Sequence, residues 1–514
     1  MTNRLLLALA CVLLAVRLPS LVQPMGADQG LYAYAGERIL AGGLPYRDAW
    51  DQKPPAIHLT HALMRAIVPR DAAVPATDLL IAAIVAVLLW RLGGAVAGEG
   101  VGPWAAIVFL LLSNPAFARL GGVSVRAQCE TFIAGLVTAA FLCLARSRDE
   151  HTRRNLLAAG ALFGLAFTFK YNAAAYALAG MFALFLWRRL TPVAVGALAG
   201  GFALPVLAFA LWFAAGHALS DLYDATIVYN LRYSGETYQG PFQALTYLLT
   251  FPIRHAGVDA LWLVGGAGCA VLLTAAWWRP DRLVAVGWVA AACLTIAING
   301  SRDLPQYFVQ AAPALALAAA WAGRLLLTRS RILNTMMVVV VLVAVWRVSN
   351  PPKLVDNTWH DANYALGRMT RTEHLARYGD RATRKYSALA IDELGAFMRT
   401  HSEPADAVYV FGFSSGAYVA AERRSASRFF WSRPVIVGFN DGKPGYGVSG
   451  LLDDLRRASP SIVALQQRDW YPDVDDSAHF FMTSAPLAGW LREGYERVTG
   501  PEGFDVWRKR VSAQ

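Results

Sequence analysis

The first 349 residues of the chain contain eleven apolar stretches, each of them 16 to 23 residues long. The hydrocarbon core of a bilayer is about 30 Å thick, and a helix needs about 20 apolar residues to cross it. A composition of 56% hydrophobic and 16% charged residues also excludes a disordered, collagenous or coiled-coil protein. We therefore predict a multi-pass α-helical membrane protein with about eleven transmembrane helices. The predicted spans are 4–22, 76–98, 102–118, 128–145, 155–170, 171–187, 192–214, 259–278, 283–299, 306–323 and 332–348.

Charge is distributed unevenly along the chain. The formal net charge is +11, and residues 1–349 carry 26 basic against 16 acidic side chains. A basic excess in the apolar part argues against nucleic-acid binding, which needs a basic stripe on a polar domain. Short loops rich in arginine stay in the cytoplasm, so these loops orient the chain. The arginines on one predicted side are Arg4, Arg91, Arg146, Arg148, Arg153, Arg154, Arg188, Arg189, Arg279, Arg282, Arg324, Arg329 and Arg331.

This asymmetry predicts the topology in a cell inner (plasma) membrane. The N-terminus is expected in the cytoplasm, and the loops 23–75 and 215–258 and the segment 350–514 are expected on the periplasmic or extracellular side. The short connections on that outer side carry few cations. All five cysteines lie inside or at the edge of apolar stretches, which excludes a disulfide framework.

The segment 350–514 has the composition of a water-soluble domain. Short β-rich runs alternate in it with helical patterns, and the acidic and basic residues nearly balance. We predict a C-terminal soluble α/β domain after a membrane domain that comprises residues 1–349. Strands are predicted at 407–411, 435–438 and 462–465, and helices at 447–457 and 486–493.

The first outer loop, residues 23–75, is the densest functional signal. An amphipathic helix is predicted from Gln29 to Leu40, and glycines follow it directly. A second helix is predicted to begin at Pro54 and Pro55, because a proline in the first helical turn loses no intrahelical hydrogen bond. Both helices are expected to lie along the membrane surface and to hold Asp28 and Lys53 at the lipid–water boundary.

These residues resemble those of membrane glycosyltransferases of the GT-C fold, especially the superfamily of protein O-mannosyltransferases and lipid A aminoarabinose transferases. In that superfamily a transmembrane span leads directly to an acidic residue in the first outer loop. The resemblance covers most of the membrane domain. Its elements are Asp28 with the following Leu31-Tyr32-Ala33, Gly42 to Asp48, Asp51 to Pro55, Gly164 to Lys170, and Arg302 to Pro313 with Pro305-Gln306-Tyr307-Phe308.

The resemblance implies sugar transfer from a polyprenyl-phosphate donor to an acceptor hydroxyl on the outer face, with inversion. A carboxylate is needed to take the acceptor proton, and cations are needed where the departing phosphate gathers charge. Asp28 is the predicted general base, and Glu130 is the second acidic position. The predicted donor phosphate-binding residues are Lys53, Arg302, Arg126, Lys170 and Tyr307. The expected partners are the donor, a glycan, lipid or protein acceptor, and the bilayer.

One departure concerns the residue after the predicted base. Many relatives have Glu there, whereas this chain has Gln29, so a role that needs a second charge at that position is in doubt. No cofactor is predicted, because His58 and His61 lack a third ligand. A divalent cation shared by Asp28 and Glu130, as in some GT-C enzymes, is an option that we do not predict.

Each candidate also has a structural interpretation. Asp28 can serve as a helix cap, Lys53 and Lys170 can extend to the lipid head groups, and Arg126 can simply pair with Glu130 four residues later. Likewise, Arg302 can pair with Asp303, its neighbour.

Three other functions compete with sugar transfer. Gly412-Phe413-Ser414-Ser415-Gly416 matches the nucleophile elbow of hydrolases, with His479 as the later histidine. A transporter or flippase of a polyprenyl-linked glycan would use the same cations without breaking a bond. A membrane-anchored binding or assembly protein would recognise its partner through the outer domain.

Overall fold

The computed structural model describes residues 3–68, 71–149, 152–277, 279–327, 330–379, 386–470 and 476–510. Trp278, at the end of the predicted span 259–278, and Arg329, one of the predicted cytoplasmic arginines, lie outside the described residues. The helices of the membrane domain are α1 Asn3–Ala15, α2 Ala27–Leu40, α3 Ala56–Ile67, α4 Ala73–Ala97, α5 Val101–Leu112, α6 Cys129–Arg146, α7 Thr152–Phe167, α8 Ala174–Leu186, α9 Pro192–Ala215, α10 Leu219–Tyr223, α11 Tyr229–Gly235, α12 Pro241–Ala256, α13 Ala260–Ala275, α14 Leu283–Ile298, α15 Ala312–Leu326 and α16 Arg331–Ser349.

Helices occupy all eleven intervals that the sequence predicts as spans. Over the described residues, seven helices are long and apolar enough to cross a membrane, or eight if a bent pair forms one span. The bent pair is α12 with α13, whose axes differ by 115°. The predicted spans 102–118, 155–170 and 171–187 coincide with shorter helices. The multi-pass membrane fold is confirmed, and the number of eleven crossings stays a prediction.

The C-terminal domain contains a five-stranded mixed sheet covered by helices. Its helices are α17 Pro351–Ala365, α18 Arg371–Ala376, α19 Ala388–Thr400, α20 Gly416–Ala421, α21 Arg433–Ile436, α22 Gly447–Ala458, α23 Ser477–Thr483 and α24 Ala485–Gly494. Its strands are β1 Ala407–Phe411, β2 Arg424–Ser425, β3 Ile462–Gln466, β4 Tyr495–Val498 and β5 Phe504–Lys509.

The strand order is β2-β1-β3-β5-β4. β1 pairs in parallel with β2 and β3, and β5 pairs antiparallel with β3 and β4. Val408 lies opposite Ile462, and every residue of β1 and β3 is buried. The α/β prediction is therefore confirmed, together with two of its three strands and both helices.

The predicted strand 435–438 is wrong, because its first residues end the single helical turn α21. Val435, Ile436 and Val437 favour strands by propensity. However, Pro434 occupies the first turn of α21, and Gly438 follows with a φ of 59°, which ends the extended path. Local propensity was overridden by tertiary contacts: α21 packs against α22 and α23, and Arg232 of the membrane domain donates to the Val437 carbonyl at 2.8 Å.

The two helices of the first outer loop are α2 and α3, and both begin within two residues of the predicted positions. The prediction that both helices lie along the membrane surface is wrong for α2. Residues 29–36 are buried on every side, because α2 packs against α3 on one side and against α20 of the outer domain on the other. Residues 29–36 therefore lie inside the protein, between its two domains.

Candidate functional site

A cavity of about 1170 Å³ separates the membrane domain from the outer domain. Its inner wall comes from the start of α2, from the loop before α3 and from the segment that follows α14, while its outer wall comes from the C-terminal domain. Both signs of charge line it. The charged lining residues are Asp28, Asp51, Lys53, Arg232, Glu236, Arg302 and Arg433.

Asp28 lies in the first turn of α2 and is partly exposed to this cavity. Its Oδ2 accepts hydrogen bonds from Gln128 Nε2 at 3.3 Å and from Gln306 Nε2 at 3.4 Å. The Gln128 amide is held in turn, because its Nε2 also donates to Ser124 O at 2.9 Å and its Oε1 accepts from Tyr32 at 3.3 Å. Two amides thus orient one carboxylate oxygen.

The electrostatic environment favours Asp28 as a proton acceptor. Burial raises the pKa of its carboxyl above the ordinary value, and the nearby Lys53 cation offsets this only in part. A carboxylate with a raised pKa holds a proton more strongly once it has received it. Asp28 is not the helix cap, because Gly26 occupies the N-cap position of α2 and no side chain caps the helix.

Lys53 lies in the turn before α3 and is partly exposed. Its backbone carbonyl accepts a hydrogen bond from the Tyr46 hydroxyl at 2.7 Å, which fixes this turn. Lys53 lines the main cavity together with Asp28, and it also lines a smaller cavity of about 260 Å³. The fold thus brings Asp28 and Lys53 to the wall of one cavity, and their roles in a site stay a prediction.

Lys170 and Glu130 form a buried ion pair. The ammonium group of Lys170 donates to Glu130 Oε1 and lies 4.6 Å from the centre of the Tyr307 ring. Glu130 is 1% exposed, and the charge of its buried carboxylate is balanced by the Lys170 cation. Lys170 and Tyr307 line the smaller cavity with Lys53. The fold thus joins three of the predicted phosphate-binding residues around one space.

Arg302 lies on the main cavity wall and contacts residues of the second outer loop. Its Nη2 lies 3.1 Å from Glu236 Oε2, and its guanidinium carbon lies 3.7 Å from the centre of the Tyr233 ring. The alternative pairing with Asp303 is not formed. Asp303 instead accepts from the Tyr247 hydroxyl at 2.6 Å and lies 3.8 Å from Arg254.

Arg126 is buried apart from the lining of both cavities. Its Nη1 lies 3.2 Å from Asp78 Oδ2, and its Nε donates to Gln23 Oε1 at 2.7 Å. The i, i+4 pair with Glu130 is therefore replaced by two separate ion pairs, Arg126 with Asp78 and Lys170 with Glu130. In this arrangement Arg126 connects the loop before α2 to α4.

Gln29 holds a structural position that an acidic side chain would not suit. It is fully buried, and its Nε2 donates to the backbone carbonyls of Val123 at 3.1 Å and Arg126 at 2.6 Å. A carboxylate has no hydrogen to donate, so Glu at this position would leave two buried carbonyls facing a negative charge. Gln29 joins α2 to the loop that carries Gln128.

Several residues of the cavity were not predicted from the sequence. Gln128 and Gln306 were not singled out, although Gln306 lies inside the Pro305-Gln306-Tyr307-Phe308 motif. Glu236 and Arg433 belong to segments without any recognisable motif, and no local signal indicates them. Phe413, Trp431 and Trp470 of the outer domain also line the cavity, and their rings lie 4.7 to 6.2 Å apart.

The motif that resembles a hydrolase elbow has a packing role. Gly416 is the first residue of α20, and its backbone nitrogen lies 2.8 Å from the position that a Cβ atom on Gly30 would occupy. Ser414 is 2% exposed, whereas His479, the one later histidine of the sequence, is exposed. The motif allows α2 and the outer domain to approach closely, next to Asp28.

Among the described residues, one group has the composition and spacing to hold a metal ion. The ligand atoms of His360, Asp361 and His374 lie within 4.8 Å of one another. Both Asp361 oxygens already accept hydrogen bonds, from Tyr378 and from Gln23 at 2.6 Å. A divalent cation is compatible with these residues, and they lie apart from the cavity that Asp28 lines.

Comparisons with known proteins support the resemblance. Residues 52–213 match the family model described as dolichyl-phosphate-mannose-protein mannosyltransferase. No curated protein sequence matches the chain. The GT-C fold itself is shown by similarity to solved structures at low sequence identity.

Two similar structures are those of ArnT from Cupriavidus metallidurans. The structure bound to undecaprenyl phosphate has a TM-score of 0.63 and 16% identity, over 99% of this chain and 98% of that chain. The apo structure has a TM-score of 0.59 and 17% identity, over 98% and 97%. The apo oligosaccharyltransferase from Archaeoglobus fulgidus has a TM-score of 0.55 and 13% identity, over 100% of this chain and 75% of that chain.

Proposed function

We propose that the chain is an integral membrane glycosyltransferase that moves a sugar from a polyprenyl-phosphate donor to an acceptor hydroxyl on the outer face of the membrane. The observation that carries this proposal is the pair of Asp28 and Lys53 on the wall of one large cavity in a GT-C fold. The similar ArnT structure holds undecaprenyl phosphate, which has the chemistry of the polyprenyl phosphate that the proposed donor releases.

In the proposed reaction, Asp28 accepts the proton of the acceptor hydroxyl. The acceptor oxygen forms a bond to the anomeric carbon of the sugar, and the bond from that carbon to the donor phosphate oxygen breaks. The electron pair of that bond stays on the polyprenyl phosphate, where Lys53 and Arg302 stabilise the negative charge. A single displacement of this kind inverts the anomeric configuration.

The remaining predicted residues support this reaction from different positions. Tyr307 and Lys170 border the smaller cavity beside Lys53, where a donor phosphate can contact them. Glu130 holds the Lys170 side chain in place through their ion pair, so we assign it an indirect role rather than contact with the acceptor. Arg126 belongs to the interior, and we expect it to support the loop of Gln128 instead of binding phosphate.

The membrane placement is part of the same proposal. Asp28 and the outer domain are assigned to the periplasmic or extracellular side of an inner membrane, with the N-terminus in the cytoplasm, because the loops with the most arginines lie at the opposite ends of the spans. Cysteine labelling from each side of the membrane tests this assignment.

The raised pKa of Asp28 gives the proposal a pH signature. Asp28 acts as a base only when ionised, so transfer is lost as the pH falls through its pKa. Because burial raises that pKa, the acid limb of kcat/KM is expected above pH 3.8, the ordinary value for an aspartate. In Asp28→Glu, which keeps a titrating carboxylate, a reduced rate with an acid limb is expected.

The test uses membrane fractions that contain the full chain and labelled polyprenyl-phosphate sugars. Asp28→Asn is expected to lower transfer by at least ~100-fold at unchanged protein level. Asp48→Asn is the matched control, because Asp48 lies in the same loop but does not line the cavity. Full transfer by Asp28→Asn would overturn the assignment of the base. Transport of label into sealed vesicles without a covalent product would favour the flippase instead.

A further inference from the structure

Two arginines from different domains meet at one carboxylate oxygen on the cavity wall. Arg302 of the membrane domain and Arg433 of the outer domain each place Nη2 3.1 Å from Glu236 Oε2. Arg433 belongs to α21 and is separated from Glu236 by 197 positions in sequence. All three side chains line the cavity that also contains Asp28.

The two guanidinium groups carry more charge than this contact neutralises. Two cations share one carboxylate, which leaves an excess positive charge directed at the cavity. Within the described part of the chain, the buried Nε of Arg433 has no hydrogen-bond partner. The guanidinium carbons of Arg302 and Arg433 lie 3.7 Å and 5.6 Å from the centre of the Tyr233 ring, which holds them side by side.

The backbone that carries Arg433 is fixed by a buried polar network. Ser432 Oγ accepts hydrogen bonds from Trp470 Nε1 at 2.8 Å and from Ser477 Oγ at 2.7 Å. Ser477 Oγ lies 2.6 Å from Asp469 Oδ2, and Ser432 N donates to Gly412 O at 3.1 Å. The position of Arg433 is therefore set by the interior of the outer domain, independently of Glu236.

We propose that Arg433 and Arg302 bind a phosphate group of the ligand that enters this cavity, and that Glu236 occupies their shared position before the ligand arrives. The proposal rests on the glycosyltransferase function above and adds a residue of the outer domain to its binding site. Guanidinium groups bind phosphate through two parallel hydrogen bonds. A phosphate monoester offers three terminal oxygens and a phosphodiester two, whereas both arginines now contact a single oxygen of Glu236.

This arrangement makes a prediction that separates it from a simple link between domains. If Glu236 competes with phosphate for the two arginines, removal of the Glu236 charge strengthens phosphate binding. As a structural link, Glu236 supports the site, so its removal weakens binding. A comparable link exists nearby: Arg428 of the outer domain lies 3.1 Å from Asp221 Oδ1, and neither residue lines the cavity.

The test measures the affinity of the purified full-length protein in nanodiscs for two probes, undecaprenyl phosphate and inorganic pyrophosphate. Arg433→Gln is expected to weaken binding of undecaprenyl phosphate by roughly 10- to 100-fold, the loss of one charge-assisted contact. Glu236→Gln is expected to strengthen it by about 2- to 5-fold, since the pair is partly exposed. Arg428→Gln is the matched control and is expected to leave affinity unchanged.

The two probes identify the source of the phosphate. Binding of undecaprenyl phosphate alone assigns the position to a lipid headgroup, and comparable binding of pyrophosphate assigns it to a water-soluble phosphate. Arg433→Lys keeps the charge without the two-point geometry, and an intermediate affinity shows that the variants remain folded.

Several results would overturn the proposal: unchanged affinity in Arg433→Gln, weaker binding in Glu236→Gln, or no binding of either probe to the unaltered chain. Sugar transfer is measured on the same samples. Arginine-dependent phosphate binding without transfer leaves this site standing and removes the proposed function. Sugar transfer together with unchanged phosphate binding in Arg433→Gln removes this site and leaves the proposed function standing.

Discussion

Substitution of Gly30 by alanine tests the contact between α2 and the outer domain. A Cβ atom on Gly30 would lie 2.8 Å from the backbone nitrogen of Gly416 and 3.0 Å from its Cα. At these separations packed atoms already repel each other. Both are backbone atoms that cannot rotate away, so α2 and α20 would have to move apart by roughly 0.5 Å. Asp28 is two residues away, in the first turn of the same helix.

The expected magnitude follows from two opposing effects. Alanine in place of glycine stabilises a helix by about 1 kcal/mol, whereas overpacking costs about 1–3 kcal/mol. Gly489→Ala in α24 gains the same helix propensity, and its Cβ meets nothing within 4 Å. The difference in unfolding free energy between the two variants therefore isolates the clash, at about 1–3 kcal/mol. Displacement of Asp28 by a fraction of an ångström is expected to lower transfer by ~10-fold.

A second comparison uses the same contact from its other side. A Cβ atom on Gly416 would lie 3.2 Å from the Ile391 Cγ2 methyl and 4.0 Å from the Gly30 Cα. The Ile391 side chain can shift, so Gly416→Ala is expected to retain near-normal stability and transfer. The measurements are thermal unfolding in detergent and the initial rate of transfer. Equal stability and equal rates for the Gly30 and Gly489 variants would refute the close-packing argument.

Three further predictions concern buried groups. Lys170→Met leaves the Glu130 carboxylate buried without its cation, so unfolding measurements should show a loss of about 3–5 kcal/mol, most of it restored in the double variant with Glu130→Gln. Burial raises the pKa of Asp469 to about 7, so its protonated form stabilises the outer domain. This contribution is lost as the pH rises from about 4 to 7. Thermal unfolding across that range should show a fall in stability with rising pH that Asp469→Asn removes. Ser414→Ala should transfer sugar at the normal rate, and a large loss would revive the nucleophile interpretation.

Local sequence patterns predicted the elements of the fold. Apolar stretches of membrane length predicted the helices of the membrane domain, and the glycine and proline positions around residues 40–55 predicted where α2 ends and α3 begins. These features depend on neighbouring residues, because helix length, capping and turn chemistry are local properties of the backbone. Asp28 and Lys53 of the first outer loop were singled out as candidate site residues in the same way, from a motif contained within 30 positions.

The surroundings of these residues were decided by tertiary structure. The periodicity of α2 predicted a helix on the membrane surface, but contacts with α3 and with Gly416, almost 400 positions away, bury residues 29–36. The partners of Arg126 and Glu130 were also set by distant residues, Asp78 and Lys170.

The meeting of Arg302, Glu236 and Arg433 depends on how the outer domain packs on the membrane domain. By itself, the sequence determined most of the helices of the membrane domain and two of the five strands of the outer domain. Only the tertiary structure decided which charges neutralise each other and which face the cavity, because an ion pair depends on distance in space, and no local pattern encodes the approach of segments 200 residues apart.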